Sequence, residues 1–258
     1  MDTPIPCRPA DGLDSDQLPF SGMSVDRSSG HKVATHCHPT AQLIYAVAGV
    51  IVVTVPDGQW VLPPTRALWI PAGICHEMQT VGEVHLRTLY IRPDLGPAQL
   101  DGCQVVHVSP LLRELIVAAV AIAPSTEPAR RDQHLIDLLL DELVTAPSLP
   151  LRLPWPTDPE IAHVCRKLAD HPDDNATLST WATRLGIDAR TVQRRFLRET
   201  GMTFGRWRQQ ARLVHALERL AGGERVLAVA LDLGYSSPSA FSSMFKRQFG
   251  ATPSAYFA

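Results

Sequence analysis

His36 and His38 stand two residues apart, and His76 follows a Pro71-x-Gly73 turn further along the chain. Side chains alternate between the faces of a strand, so a strand here turns His36 and His38 to the same side. With Gln42 they make four groups able to ligate one divalent transition metal, since three neutral imidazoles suit zinc, nickel, iron or manganese. The amide of Gln42 adds no negative charge, which lowers the affinity expected for such an ion relative to a carboxylate. The same histidines could instead line a pocket and hydrogen-bond an organic molecule. Cys37 and Cys75 neighbour these positions, but alternation turns them to the opposite face as core or oxidisable thiols.

A second chemistry lies near the C-terminus. On a helix over 189–200, Val192, Phe196 and Leu197 face inward and leave Arg190, Gln193, Arg194 and Arg198 toward solvent, with no acidic residue before Glu199. Arginine pairs bidentately with guanine and glutamine with adenine, so this face suits base edges in a major groove. Charge supports the assignment. Residues 1–159 carry 10 Lys and Arg against 17 Asp and Glu, whereas residues 160–258 carry 14 against 9. The basic half is the half fitted to phosphate.

The elements that must position these groups fall into two sets. Short β-rich runs occupy about 31–108 (43–47, 50–55, 59–62, 67–70, 86–91 and 104–108), and Asp57-Gly58 marks a hairpin turn. Such spacing predicts a sandwich or barrel. Two amphipathic helices follow over 110–123 and 128–145, with Leu111, Leu115 and Ala118 on one stripe and Leu135, Leu138, Leu139 and Leu143 on the other. These stripes either cover the barrel or also pair with a second subunit, which would make a homodimer. Trp60, Trp69 and Tyr45 lie among the strands and serve as core unless one points at the histidines.

Five prolines from Pro147 to Pro159 then deny the backbone its donors and mark a linker. Beyond it the pattern is helical. Asp158 caps a helix with Pro159 at its first position, and further helices are expected over 178–185, 189–200, 204–221, 226–233 and 238–249. Twice a short helix ends near a glycine, Gly186 or Gly234, and a capping residue, Asp188 or Ser237, opens the next. This is the grammar of two helix-turn-helix units.

With 45% hydrophobic and 19% charged residues and a net charge of −2, the 258-residue chain is neither disordered nor collagen-like. It lacks a long apolar span and a signal-like start, so no membrane association and a cytoplasmic location are expected. Five cysteines without C-x-x-C spacing argue against a disulfide framework or a zinc ribbon.

Two resemblances sharpen this reading. Leu185-Gly186-Ile187, Gln193-Arg194-Arg195-Phe196 and Glu199-Thr200-Gly201 resemble the first helix-turn-helix of the AraC/XylS transcription regulators. The run Ala230-Leu231-Asp232-Leu233-Gly234-Tyr235-Ser236-Ser237-Pro238-Ser239-Ala240-Phe241, then Phe245-Lys246-Arg247-Gln248-Phe249-Gly250-Ala251-Thr252-Pro253, resembles their C-terminal signature. The resemblance implies base reading by Arg190, Gln193 and Arg194, and in the second unit by Ser239, Ser242 and Ser243, which are short and discriminate poorly. Thr203, Arg206, Ser237, Lys246 and Arg247 suit phosphates.

The spacing Gly30-x5-His36-x-His38-x3-Gln42-x6-Gly49, followed by Pro71-x-Gly73-x2-His76, resembles the two motifs of the cupin superfamily. That likeness implies a metal held by His36, His38, Gln42 and His76, with glutamine replacing the usual glutamate. The stretch 60–71 is similar to cupin-headed AraC-type regulators of transport genes.

The expected fold is α+β in two domains: an N-terminal cupin-like β-barrel with two flanking helices (1–146), a proline-rich linker (147–157) and an all-α double helix-turn-helix (158–258). The expected function is sequence-specific regulation of transcription on double-stranded DNA by a non-enzymatic homodimer that senses a metal or a small-molecule effector. The rival class is a metal-dependent cupin enzyme, an oxygenase or hydrolase, for which Glu77 and Glu83 are the nearest carboxylates in sequence.

Overall fold

Alternation of apolar side chains and closely spaced turns build the first half as sheets. A computed structural model of the protein describes residues 14–56, 58–147 and 152–257. They divide into two compact units, one comprising residues up to 56 with 60–151, the other 57–59 with the residues from 152 onward. The hairpin residue Asp57 lies outside the described residues.

The strands before residue 108 are β1 (Phe20–Arg27), β2 (Lys32–His36), β3 (Ala41–Ala46), β4 (Val50–Val55), β5 (Gly58–Leu62), β6 (Arg66–Ile70), β7 (His76–Val81), β8 (Val84–Ile91) and β9 (Gln104–His107). One sheet runs β1-β8-β3-β6-β9, and β5-β4-β7-β2 are neighbours in another. The expected barrel is thus two antiparallel sheets that do not close on each other. Period-two alternation gives the first sheet two apolar faces. Leu43, Tyr45, Ala67, Trp69, Leu89 and Ile91 pack in one cluster with residues of helices α1 (Pro110–Ala119) and α2 (Arg130–Thr145). Gln42, Thr88 and Tyr90 alternate with them and point to the other face.

The helices bury a different stripe from the one expected in α1. Leu112, Ile116 and Ala119 are buried there, and Ile136, Leu139, Leu140 and Leu143 in α2. Leu111 stays 49% exposed and Leu138 45%. Both stripes of α1 are apolar, so periodicity alone could not choose between them. Tyr45 and Trp69 belong to the core beneath these helices, and Trp60 is also buried.

The second unit begins with a short strand, β10 (Arg152–Pro154), inside the stretch read as linker. Helices α3 (Pro159–Asp170), α4 (Leu178–Leu185), α5 (Ala189–Thr200), α6 (Phe204–Ala221), α7 (Val226–Asp232), α8 (Pro238–Phe249) and α9 (Pro253–Tyr256) follow. Local capping chemistry sets their ends. Asp158 accepts from the backbone N–H of Glu160 and Ile161, Asp188 from Thr191, and Ser237 from Ala240. Gly186 ends α4 at φ +67°, a conformation that costs glycine nothing and L-residues about 1–2 kcal/mol. The 18-residue α6, roughly 27 Å long at 1.5 Å per residue, separates the two helix-turn-helix units. Its Trp207 donates Nε1–H to the Pro154 carbonyl at 2.9 Å. Arg212 fastens the turn after α3 by donating to the carbonyls of Pro172 (2.6 Å) and Asp174 (3.2 Å) and to Asn175 Oδ1 (3.0 Å).

Candidate metal centre and nucleic-acid interface

β2 and β7 pair with His36 opposite His76, and the link continues where the Gly73 N–H donates to the His38 carbonyl at 2.8 Å. His36 therefore ends its strand, His38 lies just beyond it, and His76 opens β7. Their rings gather, with centroids 4.8 Å apart for His36 and His38, 4.4 Å for His36 and His76, and 5.5 Å for His38 and His76. One ligand atom from each lies within 4.8 Å of the others.

Each ring is held by the same nitrogen. His36 Nδ1 lies 2.8 Å from the Ala34 carbonyl, His76 Nδ1 3.2 Å from the Ile74 carbonyl, and His38 Nδ1 2.8 Å from Asp14 Oδ2. Carbonyl and carboxylate oxygens only accept, so Nδ1 is the protonated position in all three, and the Nε2 lone pairs are left for a ligand. His38 Nε2 is buried with no hydrogen-bond partner among the described residues. A buried polar atom without a partner costs about 1–3 kcal/mol, and a bound ion would relieve it.

Burial also pushes the imidazole pKa of His76 down to about 4, opposed in part by the Ile74 carbonyl. It lowers that of His38 too, with the Asp14 hydrogen bond pulling the other way. Both rings are consequently neutral near pH 7, which is the state a metal ligand requires. The donor set fits a divalent transition metal, and Asp14 adds the carboxylate that commonly orients a ligating histidine.

Gln42 stands one residue removed. Its Nε2 donates to Thr88 Oγ1 at 3.0 Å and lies 3.5 Å from the Tyr90 hydroxyl, and the Tyr90 ring packs on His38 with centroids 4.9 Å apart. Gln42 Oε1 is buried without a partner among the described residues. Asp14 and Tyr90 are the site residues that sequence reasoning missed. Glu77 and Glu83, the carboxylates nearest in sequence, are both exposed. Gly49 closes the first motif at φ +78°, where a Cβ would meet the Glu83 carbonyl at 2.3 Å.

In the second unit α5 and α8 are built alike. Each has 12 residues, and Arg190, Gln193 and Arg194 occupy the second, fifth and sixth positions of α5 as Ser239, Ser242 and Ser243 do of α8. That i, i+3, i+4 spacing puts each trio on one face. Phe196 and Phe245, eighth in each, are fully buried and fix the opposite face. Arg190 and Arg194 are exposed, and with Gln193 they form no hydrogen bond or ion pair among the described residues.

Two residues depart from expectation. Leu197 is 50% exposed rather than inward. Arg198 lies 3.2 Å from Glu199, whose other oxygen accepts from the Thr157 hydroxyl (2.9 Å) and the Asp158 N–H (3.1 Å), so this end of α5 is tied to the start of α3. Arg206, Lys246 and Arg247 are exposed, while the hydroxyls of Thr203 and Ser237 accept from Arg206 N–H (3.3 Å) and Ala240 N–H (3.1 Å) as helix caps. A capping hydroxyl still has its own proton to donate to a phosphate.

Among the described residues, no helix is long and apolar enough to cross a membrane. The sequence matches the AraC-like ligand binding domain over residues 24–144 and a helix-turn-helix domain over residues 181–258. It is 36% identical over 223 residues to the HTH-type transcriptional regulator NimR of Escherichia coli K12, covering 86% of this chain and 81% of that one. It is 38% identical over 88 residues to the regulatory protein SoxS of the same strain, covering 34% of this chain and 82% of SoxS. A solved structure of the AdpA DNA-binding domain in complex with a target DNA is similar at 31% identity and a TM-score of 0.36, covering 38% of this chain and 89% of that one. The relatives are regulators of transcription, and this chain belongs to the AraC family: a DNA-binding transcription regulator with an AraC-like ligand-binding domain ahead of its helix-turn-helix domain.

Proposed function

We propose that this regulator senses its signal at the histidine cluster of the first unit. His36, His38 and His76 hold one divalent transition metal (zinc, nickel, iron or manganese) through Nε2, and Gln42 completes the site or meets an organic effector bound beside it. A bound ion there supplies a Lewis-acidic position able to hold an anionic or carbonyl group. The observation that carries the reading is the shared engagement of Nδ1, which leaves the buried His38 Nε2 aimed at nothing else.

The output side reads double-stranded DNA through Arg190, Gln193 and Arg194 in α5, with weaker discrimination by Ser239, Ser242 and Ser243 in α8. Thr203, Arg206, Ser237, Lys246 and Arg247 meet phosphates. The exposed Leu111 and Leu138 support a homodimer formed through α1 and α2. A regulator acting on DNA in this way works in the cytoplasm and does no catalysis.

The deciding experiment is metal analysis of the purified full-length chain beside the His36→Ala, His38→Ala double variant, with operator selection on both. Stoichiometric metal in the parent and background metal in the variant is the expected result. Metal persisting in the double variant overturns the site. A metal-free parent that still responds to an organic effector reduces the histidines to pocket lining.

A further inference from the structure

Two thiols lie back to back with the histidine cluster and play no part in the reading above. We propose that Cys37 and Cys75 are a site of reversible oxidation, closing to a disulfide across the ends of β2 and β7. The proposal stands whether or not the imidazoles hold an ion.

The register places them. His36 is opposite His76, and the Gly73 N–H to His38 carbonyl bond lies on the other side, so between these two cross-strand links Cys37 lies on one segment and Ile74 and Cys75 on the other. Neighbouring strand segments run about 4.7–4.9 Å apart, close enough for the roughly 4.4–6.8 Å between Cα atoms that a disulfide spans. Alternation turns both side chains away from the face that carries the three imidazoles. The thiols already meet, within hydrogen-bonding reach of each other.

Neither cysteine is in a disulfide here; Cys37 is buried and Cys75 partly exposed. An oxidant from solvent therefore reaches Cys75 first, and Cys37 is the resolving thiol beside it. With a peroxide the steps balance. The Cys75 sulfur takes one peroxide oxygen to become a sulfenic acid as water leaves. The Cys37 sulfur then attacks that sulfur, the S–O bond breaks, and the hydroxyl departs as a second water with the Cys37 proton. The two sulfurs together lose two electrons, which the peroxide accepts. A dithiol reductant reverses the bond by exchange. The closed bond ties the strand end bearing His36 to the strand start bearing His76. Cys165, by contrast, is fully buried and has its thiol pushed far up by desolvation, so it is the internal control that stays reduced in the folded chain.

The test treats the reduced full-length chain with hydrogen peroxide in the presence of a chelator, alkylates the remaining thiols and maps the peptides by mass spectrometry. The expected result is a linked peptide pair joining Cys37 to Cys75, a loss of two hydrogen masses, and full reversal by dithiothreitol. Cys37→Ser should instead accumulate a dimedone-trappable sulfenic acid at Cys75, and Cys75→Ser should protect Cys37. Links from either cysteine to Cys7 or Cys103, or Cys75 oxidised singly while Cys37 is alkylated, overturn the proposal. The wild-type peptide map decides by itself if a serine variant does not fold.

Discussion

Asp14 Oδ2 and His38 Nδ1 are 2.8 Å apart, with each side chain only 2% exposed, although 24 residues separate them in the chain. The pair fixes the tautomer of a buried histidine whose Nε2 has no partner among the described residues. A carboxylate behind a ligating imidazole both aims the ring and raises its basicity.

Asp14→Asn should therefore weaken metal binding by about 10–100-fold without abolishing it, since the three imidazoles remain. Competition of the full-length protein against a chromophoric chelator gives the affinity directly. An unchanged dissociation constant would show that Asp14 merely fills space beside His38.

How much of this site was legible depends on range. His36, His38 and His76 announced themselves because period two and a Pro-x-Gly turn are local signals. Asp14 carried none, because a contact across 24 residues leaves no spacing to read, and Tyr90 lies on a strand that pairs with β3 only through the fold. The strand β1 went unread for the same reason: FSGMSVDR is poor in β-formers, and its pairing along the whole of β8 outweighs that propensity. The C-terminal helices were legible almost to the residue because Asp158, Asp188, Ser237 and Gly186 act within one turn of where they stand. Leu197 shows the limit, since an i, i+4, i+5 reading of α5 cannot tell a core leucine from one at the edge of the buried face.

Base and phosphate contacts should separate in mutants of the second unit. Arg194→Ala should cost about 1–3 kcal/mol of specific binding and relax preference at one base position. Lys246→Ala should weaken all sequences alike and flatten the salt dependence by about one unit of slope. Quantitative DNA selection at several salt concentrations distinguishes them, and uniform losses with unchanged preference in both would remove the division of labour between α5 and α8.

Glu218 on α6 sets a pH dependence of stability. Burial raises its carboxyl pKa from 4.5 to about 7, and it has no hydrogen bond or ion pair among the described residues. The folded chain keeps a proton there that the unfolded chain releases above about pH 4.5. This contribution is whole below 4.5, declines as pH rises, and is gone above about 7. Glu218→Gln cannot lose that proton, so the variant should match the parent near pH 4.5 and exceed it near pH 8. The gain is roughly 1–3 kcal/mol after allowing for partial exposure. Urea unfolding at the two pH values measures it, and an equal effect at both would place the cause in packing rather than charge.

Association should run through the outer stripe of α1 and α2. Leu112, Ile116 and Ala119 already cover the first sheet and Leu115 packs against the same core, yet Leu111 on α1 and Leu138 on α2 lie exposed. Large apolar side chains left exposed on neighbouring helices are surface that a second copy could bury. In a two-fold dimer each substitution appears twice, so replacing one leucine worth about 1.5 kcal/mol removes about 3 kcal/mol from the interface. That is on the order of 100-fold in dissociation constant. Leu111→Asp and Leu138→Asp should each shift sedimentation at micromolar concentration from dimer toward monomer. Because both residues lie outside the core, the thermal midpoint of the resulting monomer should not fall by more than a few degrees. A parent that sediments as a monomer would remove the dimer, and a double variant that still dimerises would move the interface elsewhere on the chain.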